Sequence, residues 1–136
     1  MILLDTHIWR WWVNNDPRLS AQNRSLLMAT SPGEAAISMI TAWEIGKLVE
    51  RGRIGLDRSV DEWLRDAIGR SGVATIDLSL EVLVASTQLP APMHRDPADQ
   101  IIVATSRVVD IPLVTQDRQL LAYEHVIHAA LPAPDN

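Results

Sequence analysis

The chain has 136 residues, 47% of them hydrophobic and 21% charged, which is enough for one ordinary core and too few for two domains of typical size. It contains no cysteine, so disulfides, zinc–thiolate centres and thiol nucleophiles are excluded. Twelve basic against seventeen acidic residues give a net charge of −5, which excludes a charge-driven, indiscriminate nucleic-acid binder.

Ile2, Leu3 and Leu4 form a short, wholly apolar run ended by Asp5 and Thr6, the pattern of a buried parallel strand meeting a helix start. Residues 6–13 read as a Trp-rich helix closed by Asn14, Asn15, Asp16 and Pro17. Leu19–Ala29 suits a second helix with Ser20 near its start, and Ser31, Pro32 and Gly33 break it before a strand at Ala35–Ser38. Helices are predicted over Thr41–Glu50 and Ser59–Gly69, then a strand at Val73–Ile76 and a short helix near Leu80–Ala85. Leu89, Pro90, Ala91 and Pro92 force an extended loop. Pro97–Val109 reads as a helix buried on most sides, Leu113–Val114 as a fourth strand and His125–His128 as a fifth. The alternation predicts a three-layer α/β fold, a mostly parallel sheet of four to five strands flanked by helices. We expect one domain over residues 1–130 and a frayed tail over 131–136. The first apolar run is far shorter than a signal-peptide core, and none approaches the ~20 residues that cross a bilayer, so the protein reads as cytosolic, with no membrane partner.

Five acids come from four separated segments. Asp5 and Asp117 stand at or just beyond the carboxyl ends of predicted strands, Glu44 lies one turn into the helix after Ser38, and Asp96 and Asp99 flank a helix start. In open parallel sheets that edge is where ligands bind. Each acid also has a structural explanation: Asp5 and Asp96 suit N-caps, Asp99 suits a helix first turn, Asp117 suits a turn, and Thr41 with Glu44 is spaced as a capping box. Capping does not explain why several such starts share one rim. Gathered carboxylates repel unless a cation neutralises them, and an oxygen-only donor set suits Mg²⁺ or Mn²⁺. Such an ion activates water for attack on a phosphodiester. Thr6 and Thr115 are placed to orient a carboxylate or water.

Four motifs in order resemble the PIN domain, specifically VapC-type toxins of bacterial toxin–antitoxin pairs. They are the apolar run to Asp5 and Thr6; Ser38, Thr41 and Glu44 at spacings of three; His94, Asp96, Pro97 and Asp99 before an Ile/Ala-rich helix; and Val114, Thr115 and Asp117. Ala98 and Gln100 depart from the Phe and Arg usual in one subgroup. The resemblance implies metal-binding and catalytic acids at Asp5, Glu44, Asp99 and Asp117, with Asp96 a secondary candidate. It further implies a Mg²⁺- or Mn²⁺-dependent endoribonuclease acting on structured RNA such as tRNA or rRNA, a VapB-like antitoxin partner and a homodimer.

The rival readings are a receiver-like phosphoacceptor domain, which would want a lysine near its last strand, and a non-catalytic α/β binding module. Among other features, His94 and Arg95 adjoin the acids. His125 and His128 lack carboxylate company. Arg10, Arg18, Arg24, Arg51 and Arg53 are candidate phosphate contacts. Trp9 and Trp12 share a helix face while Trp11 points away, and an exposed member of that trio would suit an interface anchor.

Overall fold

The computed structural model describes residues 1–129; the expected tail lies outside them. The elements are β1 (Ile2–Leu4), α1 (Thr6–Val13), α2 (Ala21–Met28), β2 (Ala35–Ser38), α3 (Ile40–Glu50), α4 (Val60–Ser71), β3 (Ala74–Ile76), α5 (Leu80–Ser86), α6 (Pro97–Val109), β4 (Leu113–Val114) and α7 (Arg118–Leu121). The strands make one parallel sheet in the order β3-β2-β1-β4, with Leu3 beside Ala36 in β2 and Leu113 in β4.

Alternation along each strand sorts side chains between two apolar layers. Leu4, Ala35, Ile37 and Val114 pack with Ile8, Trp9, Leu27 and Trp63, whereas Leu3, Ala36 and Leu113 pack with Ala98, Ile102 and Val103 of α6. With helices on both faces, β1, β4 and the first three residues of β2 carry apolar side chains at successive positions, and this is why they read as unbroken runs, whereas Thr75 of the edge strand β3 is exposed. The expected three-layer α/β fold follows. Trp9 is fully buried, edge-on to Trp63 at 5.7 Å between ring centroids, and its indole N–H donates to Ser71 Oγ at 3.1 Å. Its body is therefore core and its polar end is satisfied.

Three expectations need correction. The fifth strand at His125–His128 reduces to one parallel bridge between His128 and Leu113, because β4 is two residues long and offers little edge to pair with. The capping box of Thr41 and Glu44 does not form: α3 starts at Ile40 behind Met39, which makes no side-chain cap, and Ser38 Oγ accepts the Ile40 amide at 3.2 Å. None of Trp9, Trp11 and Trp12 is exposed; Trp11 is held between the His7 ring and the Arg18 guanidinium. Among the described residues no helix is long and apolar enough to cross a membrane.

Candidate active site

β1 and β4 are neighbours although they are first and last in sequence, so strand order reverses between them and opens a crevice at their carboxyl ends. The Asp5 amide donates to Val114 O at 3.0 Å, fixing the end of β1 to β4. Asp5 is 3% exposed. Its Oδ1 accepts the Thr6 amide and its Oδ2 the Thr115 hydroxyl, each at 2.8 Å. Thr115 Oγ1 in turn accepts the Asp117 amide at 3.0 Å, and Asp117 Oδ1 caps α7 through the Gln119 and Leu120 amides.

The remaining acids arrive from the other helices. Glu44 accepts the Thr6 hydroxyl at 2.5 Å, and that hydroxyl lies 2.9 Å from the Thr41 hydroxyl. Thr6 and Thr41 are both buried. Asp99 Oδ2 lies 2.7 Å from His94 Nε2, while the Asp99 amide donates to Asp96 Oδ1 at 3.0 Å. Asp5, Asp96 and Asp117 thus stand at the N-caps of α1, α6 and α7, the first and last just beyond β1 and β4, while Glu44 lies in α3 and Asp99 in the first turn of α6.

Their electrostatics register the crowding. Burial pushes Glu44 up to about 7, the Thr6 hydrogen bond opposes this, and the charges of Asp5, Asp99 and Asp96 add to it. Burial likewise raises Asp99 to about 6, against the His94 hydrogen bond and with help from Asp5 and Asp96. Asp5 is raised chiefly by burial and further by Asp117, against His7, Thr115 and the Thr6 amide. Its charge therefore links both halves of the crevice. His7 is pushed down by burial. Its Nε2 accepts the Gln116 amide at 3.0 Å, and a ring nitrogen that accepts carries no proton. The His7 proton consequently sits on Nδ1, facing Asp5 Oδ2 at 3.4 Å, so the imidazole beside Asp5 is the neutral form.

The donor set suits a hard divalent cation in kind: it is all oxygen, and Glu44 Oε2, Asp99 Oδ1 and Asp117 Oδ2 accept no hydrogen bond from the described residues. Among those residues no three His, Asp or Glu side chains already form a metal cage.

A family model described as PIN domain matches residues 2–126. The chain belongs to the PIN-domain family. It is similar to Ribonuclease VapC22 of Mycobacterium tuberculosis, at 33% identity over 129 residues, 91% of this chain and 92% of that protein. This puts it among the VapC proteins. Its fold is shared with a toxin–antitoxin complex from Klebsiella pneumoniae (TM-score 0.66, 22% identity, 93% of this chain and 96% of that one). The same holds for VapBC2 from Rickettsia felis bound to a fragment of promoter DNA (TM-score 0.65, 19% identity, 95% and 98%).

Several candidates fall outside the crevice of this PIN domain. Arg18 forks onto Asp16 and Arg24 onto Asn15 and the Asp16 carbonyl, so both serve the loop after α1. His128 joins the start of β4 and His125 meets the Tyr123 ring edge-on. Lys47 lies in α3 with its ammonium 5.7 Å from the Trp43 ring centroid, so it is not the strand-end lysine a phosphoacceptor reading wants. Sequence reasoning gave no role to His7, Gln116 or Trp43. Gln116 accepts from the Ser20 amide and Asn23 side chain and donates to the Arg18 carbonyl, tying α2 and its loop to the end of β4. Nothing in the local pattern marks it.

Proposed function

We propose that this VapC-like PIN domain is a Mg²⁺- or Mn²⁺-dependent endoribonuclease, the toxin of a VapBC-type pair, that hydrolyses structured RNA such as tRNA or rRNA. The observation carrying this reading is the convergence of Asp5, Glu44, Asp99 and Asp117 on one crevice, with Glu44 and Asp99 raised to about 7 and about 6. Asp5, Asp99 and Asp117 would hold the cation, with Asp96 next to Asp99 as a secondary ligand. A bound cation supplies Lewis acidity toward a phosphoryl oxygen and makes water a stronger acid. Glu44, whose proton affinity is matched to neutral pH, takes the proton from the attacking water. Thr6, anchored by Thr41, orients the Glu44 carboxyl, Thr115 holds Asp5, and the neutral His7 keeps positive charge out of the pocket. The ribonuclease name of VapC22 and the toxin–antitoxin nature of the Klebsiella and Rickettsia assemblies support the activity and a VapB-like antitoxin. A homodimer, a cytoplasmic location and a single domain over residues 1–130 complete the proposal.

The test compares purified protein with its Asp5→Asn variant on total RNA in Mg²⁺ or Mn²⁺, sequencing the new RNA ends. Asparagine keeps an acceptor for the Thr6 amide, replaces the oxygen facing Thr115 with an amide N–H that the hydroxyl must now accept, and removes the charge. Cleavage should fall by about a hundredfold or more with the thermal midpoint kept or raised. Unchanged turnover by a folded variant overturns the assignment.

A further inference from the structure

Beside the acid crevice lies a groove of about 340 Å³ between α3 and the start of α6, lined by Trp43, Lys47 and Arg51 on one wall and Asp96, Pro97 and Ala98 on the other. Glu44 closes its end nearest the carboxylates. Trp43, Lys47 and Arg51 follow one another every four residues, a spacing that lays them in one stripe, stepping about 6 Å at a time away from Glu44. Trp43 is 50% exposed, although tryptophan is ordinarily highly buried. Half of its surface is left open to the groove, and the proposed hydrolysis does not use it.

We infer that Trp43 is a stacking platform for an unpaired base flanking the scissile phosphate, with Lys47 and Arg51 meeting the next phosphates of the same strand. The inference rests on the ribonuclease reading and adds a substrate-positioning residue to it. An aromatic face interleaved with cations is the composition that holds single-stranded nucleic acid, since every base has a π-face and every linkage a negative charge. A peptide fits less well. A basic segment meets the like charges of Lys47 and Arg51, and an acidic one offers no flat base for the Trp43 face. The present partners of the stripe yield readily: Lys47 binds the exposed Glu50 at 3.2 Å, and exposed ion pairs and cation–π contacts are weaker than base stacking. The arrangement also answers how a chain of net charge −5 holds RNA, by placing its one lysine and an arginine beside the acids rather than by a basic surface overall.

The experiment measures affinity by fluorescence anisotropy in Mg²⁺, in full-length protein carrying Asp5→Asn so that binding is read apart from cleavage. The probes are a short labelled oligouridine and a ribose-phosphate chain of equal length without bases. Trp43→Ala should weaken oligouridine binding by about tenfold, and Trp43→Phe by less than about threefold. The base-free chain should bind all three proteins alike. Lys47→Ala should weaken both probes and lower the salt slope by about one. Equal oligouridine affinity with and without the Trp43 indole overturns the inference, as does an equal loss on the base-free chain. So does a Trp43→Ala variant that loses only its hold on a co-expressed antitoxin, which would make the groove a protein-docking site. Failure of the wild-type protein to cleave any RNA would sink the ribonuclease reading instead, because base-dependent binding is measured without cleavage.

Discussion

Among the described residues, helices α2, α4 and α5 start on Ser20, Ser59 and Ser79, whereas α1, α6 and α7 start on Asp5, Asp96 and Asp117. Serine and aspartate cap about equally well, so capping alone gives no reason for this division. Each serine commits its only side-chain oxygen to an amide of its own first turn, at 3.1 or 3.2 Å. Each aspartate does the same with one oxygen and keeps a second oxygen and a negative charge. In Asp5 the second oxygen reaches the Thr115 hydroxyl. The aspartate starts are the ones whose charges act on the crevice, Asp5 and Asp96 raising Glu44 and Asp99 and Asp117 raising Asp5. The difference teaches that a cap is the cheapest place to fix a carboxylate: the backbone holds one oxygen still, and the charge and the second oxygen, bonded to Thr115 in Asp5, remain on the crevice side.

Exchanging the two kinds of start breaks the comparison most sharply. Asp117→Ser preserves a cap for the Gln119 and Leu120 amides but removes the spare oxygen. We expect a loss of cleavage of about a hundredfold or more and a thermal midpoint within a few degrees of wild type. Activity within about threefold of wild type in an RNA-cleavage assay would reduce Asp117 to a cap.

A smaller effect separates the starts by pH. Without a cation, Glu44 is pushed up to about 7 and Asp99 to about 6, above their ordinary 4.5 and 3.8. Between those limits the folded chain binds more protons than the unfolded one, so stability falls as pH rises from about 4 to about 7 and levels off above. Each unit of displacement corresponds to about 1.4 kcal/mol before the opening of both groups to the cleft discounts it. Added Mg²⁺ or Mn²⁺, which binds the ionised acids, should raise the melting temperature more at pH 8 than at pH 5. Thermal melts that rise with pH in chelator would contradict the raised carboxyls. The smallest change comes from a serine start: Ser59→Ala should cost about 1 kcal/mol in urea unfolding and leave cleavage untouched.

Much of this was legible because it is local. The apolar run to Leu4, the proline after Asp96 and the helix from Pro97 to Val109 declare themselves in a few consecutive residues, and Asp5, Glu44, Asp96, Asp99 and Asp117 follow as acids at element ends. What escaped depends on distant partners. Thr41 and Glu44 have capping-box spacing, yet both side chains turn to Thr6, about 35 residues earlier. The tautomer of His7 is set by the Gln116 amide, 109 residues away. Helix α7 is four residues long, too short for an apolar period to show. The exposure of Trp43 rather than of Trp11 or Trp12 depends on which helix faces are covered, which only the packed structure decides.

The hydrogen bond from Thr115 to Asp5 closes a loop of 110 residues, and this has a kinetic meaning. Loop closure on that scale is repaid only when the intervening layers have already condensed. Helices α1 and α6 can form early and carry their carboxylates without placing them together. The crevice exists only once β4 docks against β1, the least local strand pairing in the sheet. Competence for chemistry therefore reports completion of the whole fold, and a variant that loosens the docking of β4, at Leu113 or Val114, should lose the site before it loses its helices.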